Sequence, residues 1–469
     1  RRFNVAKAYD VVVVGSGPGG YVAAIRAAHN GLKAAIVERD RRLGGTCLLR
    51  GCIPTKSLLQ SAAILDACAR ASDFGVDVER AALNFEKVMK RKERAVAKLS
   101  GGVAGLMKKY GIEVLKGHGR LAGPGRVAVE GEGGAAQVLE AKRVILATGS
   151  EVKNLPGIAP DHRRVVTSDS ILEIPAAPRS LIVLGAGAVG MEFASIFRSF
   201  GAQVTVIEVL DHLLPLEDED VSKEMEKAFR RRKIEFLLQT KVERVEATEE
   251  GVRVFAGSPA GSQVLEAEML LMAVGRRPVS EGLGLETVGL VPERGFIPVD
   301  GQMKTKVPGI WAIGDLVPTL ALAHVASHEG IVAADSIAGK NPEPLHYDRA
   351  PSATYTAPEA ASVGLTEKKA RERGYDVKVG LFPFAAIGKA TIAGENDGFV
   401  KIVSEKKYDE VLGVHIVGAH ATELIAEACA ALQLETTTEE LARTIHAHPT
   451  LSEAMGEAAH AALGATINL

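Results

Sequence analysis

The chain has 469 residues, more than one hydrophobic core organises, so two to four domains are expected. Apolar residues make up 46% and charged residues 24%, which excludes a disordered chain; the net charge of −2, with no polybasic cluster, points away from nucleic acid and membrane surfaces. No apolar run of about 18 residues is present to span a bilayer, and four cysteines are too few for a disulfide scaffold.

Arg1–Lys7 reads as a short arm rather than a signal peptide, because no apolar stretch separates its two arginines from the first strand. Asp10–Val14 then reads as a strand, followed by Gly15-Ser16-Gly17-Pro18-Gly19-Gly20, a helix from Tyr21 to Asn30, and a strand Ala34–Val37 that ends at Glu38. The pattern returns: a strand Leu181–Leu184, the glycines Gly185, Gly187 and Gly190, a helix to Phe200, and a strand Val204–Ile207 ending at Glu208. Glycines and acid are displaced together by 170 residues (15 to 185, 38 to 208). A single G-x-G-x-x-G is weak evidence, but two copies, each between strand and helix and each followed by an acid, mark two dinucleotide sites. The first glycine permits the turn, the second admits the pyrophosphate, and the third lets helix pack on strand. The free N–H groups of the helix start then bind phosphate, and the acid accepts from ribose hydroxyls. Glu208 is followed by Val209 and Leu210, with no Arg beside it, so the second site should prefer NAD to NADP.

Three later apolar strands close on glycine, at Val144–Gly149, Leu270–Gly275 and Ile310–Asp315. From about residue 350 the pattern becomes α+β. Val400–Val403 and Val411–Val417 read as antiparallel strands, Ala421–Leu434 and Glu439–Thr444 as helices. Cys68 and Cys429 sit alone in Ala-rich helical stretches and read as buried inert thiols. His324 and His328 have helical spacing but no third ligand, so no metal is expected.

Cys47 and Cys52 differ from the other two. They lie in Gly44-Gly45-Thr46-Cys47-Leu48-Leu49-Arg50-Gly51-Cys52-Ile53-Pro54-Thr55-Lys56, six residues after Glu38. Residues five apart on a regular helix are separated by about 7.5 Å along the axis, while a disulfide needs Cα atoms within about 7 Å. A bridge therefore needs distorted backbone, which Gly51 can supply. Strain and a helix start both favour a reducible bond and a stabilised thiolate. The alternatives are a structural bridge, from which so small a loop gains little, or a metal pair, for which no second Cys pair exists. Lys56, four residues past Cys52, shares its helix face; it is either a cation serving the redox site or a solvated lysine. His448 precedes Pro449, which places a helix start at Pro449. Glu453 can orient one ring nitrogen of His448, an arrangement suited to moving a proton to and from a thiol.

Taken together, the cysteine motif, the doubled glycine motif, A-T-G-S, A-I-G-D and H-A-H-P-T-L-S-E resemble the flavin-dependent pyridine nucleotide–disulfide oxidoreductases, and among them the dihydrolipoamide dehydrogenases, from Tyr9 to about Leu463. The resemblance implies an α/β fold: two Rossmann-like dinucleotide-binding domains plus a C-terminal α+β dimerisation domain. FAD-binding segments would span 1–150 and 279–349, an NAD-binding domain 151–278, and an interface domain 350–469. FAD would lie on Gly15, Gly17, Gly20, Glu38, Gly45, Thr46, Lys56, Gly119, Thr148, Gly149 and Asp315, with Ala321, Leu322, Ala323 and His324 beside its ring. NAD would use Gly185, Gly187, Gly190, Glu208, Val242 and Gly275, and Glu192 would pair with Lys56. Cys47 would exchange with substrate and Cys52 would face the flavin. His448 would be the base, held by Glu453 and supplied by the second subunit of a homodimer that serves lipoyl domains of a 2-oxo-acid dehydrogenase complex in a cytoplasm or mitochondrial matrix.

One departure stands out: Leu49-Arg50 replaces the family's usual Asn-Val, and Arg50 is expected to add a cation beside Cys47. Among rivals, a glutathione reductase would carry basic residues after the second-site strand. A mercuric reductase would end in a vicinal Cys pair rather than Ile467-Asn468-Leu469. A flavin transhydrogenase would lack the cysteine pair. A non-catalytic scaffold subunit would have lost a Cys, His or Glu that this chain keeps.

Overall fold

The structure, a computed structural model, describes residues 5–131 and 136–468; the start of the predicted arm, residues 1–4, lies outside them. The chain forms two compact units, one of Arg1–Ser57, Lys87–Lys153 and Arg276–Tyr347, the other of Leu58–Glu86, Asn154–Gly275 and Asp348–Leu469.

In the first unit, Val5–Val14 pairs parallel with Ala136–Leu146, with a register shift between Val5 and Ala8, and its end Val11–Val14 pairs parallel with Ala34–Glu38. Glu113–Lys116 and Ile310–Ala312 extend the parallel sheet, while Arg126–Glu130 and His118–Leu121 add antiparallel strands. Val11, Val12, Val13, Ala35 and Ile36 are fully buried, as the unbroken apolar runs of a sheet covered on both faces require. Helix Pro18–His29 packs on helix Ala323–Ile337 backbone to backbone. A Cβ on Gly330 would stand 2.5 Å from the Gly19 carbonyl oxygen, so only glycine allows this approach.

In the second unit, five parallel strands run in the order Ile234–Leu237, Gln203–Ile207, Ser180–Leu184, Met269–Met272, Val165–Thr167. Residues 350 onward build an antiparallel sheet in which Glu359–Gly364, Val411–Gly418, Phe399–Glu405 and Val377–Pro383 pair in turn. One face of this sheet buries Phe382, Val400, Val414 and Ile416 against Ala428, Met455 and Ala458 of the C-terminal helices. A polar row crosses the same sheet: Lys401 stands opposite His415, His415 opposite Ser362, and Ser362 opposite Ser352. It receives the acidic start of helix Glu219–Arg231. Glu217 accepts from both serine hydroxyls, and the Lys401 ammonium donates to Asp218 (2.8 Å) and Asp220 (2.7 Å) and pairs with Glu367 (2.9 Å).

The predicted elements match these bounds within a few residues, with three corrections. Val5–Lys7, expected to lie in the arm, already belong to the first strand. The strands expected to run to Gly149, Gly275 and Asp315 end at Leu146, Met272 and Ala312; glycines at positive φ (Gly149 +68°, Gly275 +103°, Gly314 +70°) turn the chain beyond them. The helix expected from Pro449 starts at Glu453, because the Thr450 N–H is taken by the Glu453 carboxylate (2.9 Å) and the Thr450 hydroxyl donates to Ala447 C=O.

Candidate active site

The two glycine loops are built alike. A Cβ on Gly15 or Gly185 would strike the Ala147 or Ala273 carbonyl oxygen at 2.3 or 2.5 Å, and one on Gly20 or Gly190 would sit 2.0 Å from the carbonyl oxygen of its loop's first glycine. Gly17 and Gly187 have nothing within 4 Å on that side. Packing thus fixes the first and third glycines, while the second faces open space where a diphosphate can approach. No side chain among the described residues caps helix Pro18–His29 or Ala188–Ser199, which leaves their first N–H groups for an anion. The acids are held alike too. Glu38 accepts from the Ser16 N–H (2.8 Å) and the Asp40 N–H (2.8 Å); Glu208 accepts from the Ala186 N–H (2.7 Å) and the Leu210 N–H (3.0 Å). Beside Glu208, Val209 and Leu210 are exposed and apolar. These donor sets fit the adenosine diphosphate portions of FAD and NAD.

The cysteine segment rests on the first loop. Gly44 and Gly45 adopt φ of +121° and +58°, and a Cβ on Gly45 would stand 2.6 Å from the Gly17 Cα. The Gly44 N–H donates to Ser16 Oγ (3.1 Å), and Ser16 Oγ donates to Glu38 (2.5 Å), so one serine ties the segment to the dinucleotide loop. Helix Gly45–Arg50 carries Cys47 and breaks at Gly51 (φ −136°, ψ −108°); Cys52 opens helix Cys52–Ala69. The expected distortion at Gly51 is present. The Cys47 and Cys52 side chains lie within hydrogen-bond reach of each other across this break. That contact, then burial, then the charge of Cys52 push the Cys47 thiol up, while Lys56 acts the other way. Cys52 stands at the positive end of its helix. Tyr21, packed on the same core as Cys47, is raised by burial and by the charge of Cys47. The Arg50 guanidinium pairs with Asp40 of the preceding loop.

Other predicted residues gather in the same unit. Gly119 packs where a Cβ would meet Val14 and Val37 at 2.9 Å, and Thr148 Oγ1 donates to Val279 C=O (2.7 Å). Asp315 accepts from Ser150 Oγ, and Ala321–His324 lead into helix Ala323–Ile337. Two residues missed by the motifs organise this region. Arg276 donates to Ser150 Oγ (2.8 Å) and Ser150 C=O (2.8 Å), and reaches Thr46 Oγ1 at 3.5 Å, so it links the cysteine helix to Asp315. Glu329, fully buried, accepts from the Gly314 N–H (2.6 Å), Thr319 (2.7 Å) and Tyr347 (2.9 Å), which fixes the turn that presents Asp315. Burial pushes Glu329 up against those three donors.

In the second unit, Glu192 is buried in helix Ala188–Ser199 and accepts from the Tyr355 N–H (3.1 Å); Val242 lies on strand Lys241–Ala247. His448 is 77% exposed, and its Nδ1 meets Glu453 Oε1 at 2.9 Å. Burial opposes ionisation of Glu453, but the Thr450 N–H and His448 outweigh it and hold the carboxyl below its usual range. Nε2 of His448 is then the nitrogen left to meet a substrate. Neither Cys68 nor Cys429 is fully buried, as had been expected; both are half-buried, and burial raises Cys429.

Comparison with known proteins agrees with this geometry. The family model described as pyridine nucleotide-disulphide oxidoreductase matches residues 9–330, and that family's dimerisation domain matches 350–459. The chain is 48% identical to dihydrolipoyl dehydrogenase of Bacillus subtilis (99% of this chain, 100% of the relative) and 43% identical to that of Zymomonas mobilis (99% and 100%). It is 39% identical to the mitochondrial dihydrolipoyl dehydrogenase of Pisum sativum (98% and 92%). A crystal structure of LpdA from Mycobacterium tuberculosis superposes with a TM-score of 0.90 at 30% identity, over 97% of this chain and 99% of that one.

Proposed function

The chain belongs to the pyridine nucleotide-disulphide oxidoreductase family, and on that footing we propose that it oxidises dihydrolipoamide to lipoamide and reduces NAD+ to NADH, using Cys47, Cys52 and bound FAD. The carrying observation is the cysteine pair on a helix broken at Gly51 and seated on the first glycine loop. The relatives, named dihydrolipoyl dehydrogenases and matched end to end, support the substrate.

The cycle starts from the Cys47–Cys52 disulfide. His448 Nε2 takes a proton from one thiol of dihydrolipoamide, and Glu453 stabilises the imidazolium through Nδ1. The substrate thiolate attacks Cys47 Sγ; the S–S bond breaks and Cys52 leaves as a thiolate beside Lys56. The second substrate sulfur, deprotonated in turn, attacks the mixed disulfide. Lipoamide departs with an intramolecular S–S bond; Cys47 leaves as a thiolate that takes the proton held on His448 Nε2, and the proton of the second substrate thiol replaces it there. Bound FAD and NAD+ supply the onward two-electron transfer that ends as hydride on the nicotinamide. The sum is dihydrolipoamide and NAD+ giving lipoamide, NADH and a proton.

In this reading FAD is held by Gly15, Gly17, Gly20, Glu38, Thr148 and Asp315, and NAD by Gly185, Gly187, Gly190 and Glu208. The FAD segments are 1–150 and 279–349, the NAD domain 151–278 and the dimer domain 350–469. His448 reaches the cysteines of the second subunit. Lipoyl domains of a 2-oxo-acid dehydrogenase complex deliver the substrate, in a cytoplasm or mitochondrial matrix where thiols stay reduced. Among the described residues no helix is long and apolar enough to cross a membrane.

A substrate panel tests this function. Dihydrolipoamide with NAD+ should turn over, and glutathione disulfide with NADPH should not. Preference for the second pair would replace the reading with a glutathione reductase.

A further inference from the structure

Helix Phe85–Lys109 buries Lys92, Val96, Ser100, Val103 and Met107 along one face. Each helical residue turns about 100°. Measured from Lys92, the exposed Lys90, Arg94, Lys87 and Lys98 fall at about 160°, 200°, 220° and 240°, opposite that face. They form one basic stripe roughly 16 Å long. Lys90, Arg94 and Lys98 are like charges at i, i+4 spacing, which weakens a helix, while Glu86 in the first turn, four residues before Lys90, acts the other way. A groove of about 500 Å³ runs beside the stripe, lined by Lys87, Lys90, Glu93 and Arg94. The one acid in it, Glu93, is paired with Arg42 of the loop before the cysteines.

The helix is pinned to both ends of the cysteine segment. Ser100 Oγ donates to Leu43 C=O (2.7 Å), and Arg91 donates to Ser57 Oγ (2.9 Å). The stripe is thus a fixed basic surface bordering the redox segment, on a chain whose net charge is −2. Dihydrolipoamide carries two thiols and an amide but no charge, so the stripe does nothing for the group itself. Its length suits a protein surface rather than a single anion. No aromatic side chain among the stripe residues suits insertion into lipid.

Resting on the activity proposed above, we infer that Lys87, Lys90, Arg94 and Lys98 form a docking surface for an acidic protein domain that carries the dihydrolipoyl group to Cys47. Attraction of this kind acts mainly on the rate of encounter and fades with salt.

The test compares free dihydrolipoamide with a reduced, net-negative lipoyl domain as substrates for the FAD-loaded enzyme. For the domain, kcat/KM should fall by about tenfold or more on raising ionic strength or in a Lys90→Glu, Arg94→Glu variant. For free dihydrolipoamide, both changes should leave it within about twofold. Equal sensitivity of the two substrates, or none in either, would overturn the docking surface. So would loss of binding to phosphatidylserine vesicles in the variant with the domain's kinetics unchanged, which would assign the stripe to a membrane. Failure of the wild type to turn over free dihydrolipoamide would overturn the activity itself, and the docking surface with it.

Discussion

Gly17 and Gly20 sit three residues apart and answer to opposite demands. Gly20 is glycine because a Cβ would collide with the Gly15 carbonyl at 2.0 Å, whereas Gly17 borders open space. Gly20→Ala should therefore destabilise the apoprotein as well as lose FAD. Gly17→Ala should keep the apoprotein melting temperature and lose FAD selectively, read from flavin absorbance against protein. Equal melting temperatures for the two would contradict the packing argument. At the second site, Gly187→Ala should raise KM for NAD+ with FAD content unchanged. Such residues were legible in the sequence because their partners are local: glycine, acid and helix start lie within 24 residues (Gly15 to Glu38). Arg276 and Glu329 were not. Arg276 finds Ser150 across 126 residues of chain, and spacing carries no trace of such a contact. Arg50 is a different case: its partner Asp40 is only ten residues away, but the pairing depends on how the loop between them folds, which spacing does not show.

At the level of elements, the polar row of the C-terminal sheet holds the start of helix Glu219–Arg231. Asp218 is buried and accepts from the Asp220 and Glu367 N–H groups as well as from Lys401. Lys401→Met would leave Asp218 buried without its cation, so a loss of about 3–5 kcal/mol is expected in chemical denaturation, the range for breaking a buried pair. A loss below about 1 kcal/mol would mean the row is solvated. Acid should weaken the same joint. Burial raises Asp218 and Glu367, but the charge of His415 on Asp218, the Arg371 hydrogen bond to Glu367, and Lys401 on both outweigh it, and both carboxyls titrate below their usual range. Depressed carboxyls contribute stability that is present above about pH 4 and lost as pH falls through their folded values. The melting temperature should therefore drop steeply below about pH 4 in the wild type and more shallowly in Asp218→Asn. The strands on either side were readable as apolar runs. This joint was not, because Lys401 and His415 look like surface residues until the register sets them opposite each other. The basic stripe of helix Phe85–Lys109 escaped notice similarly: its charges are spread through the sequence and gather only at helical spacing.

For the whole molecule, the chain joins a dinucleotide-binding region matched over 9–330 to a dimerisation domain matched over 350–459. A catalytic His448 acting on the second subunit has a distinctive consequence. Mixing Cys47→Ser with His448→Gln chains puts both lesions in one site of a mixed dimer and leaves the other site intact. Refolded equal mixtures should recover roughly a quarter of wild-type activity, from the half of dimers that are mixed. No recovery, with mixed dimers demonstrated by tag pull-down, would place His448 and Cys47 of one chain in the same site. The central claim, that electrons pass from dihydrolipoamide through Cys47 and Cys52 to NAD+, is tested most directly by NADH formation from dihydrolipoamide in Cys47→Ser against wild type, both loaded with FAD. The wild type should form NADH, and Cys47→Ser should fall by at least about a thousandfold while keeping its yellow flavin spectrum. Full turnover by Cys47→Ser would contradict the account.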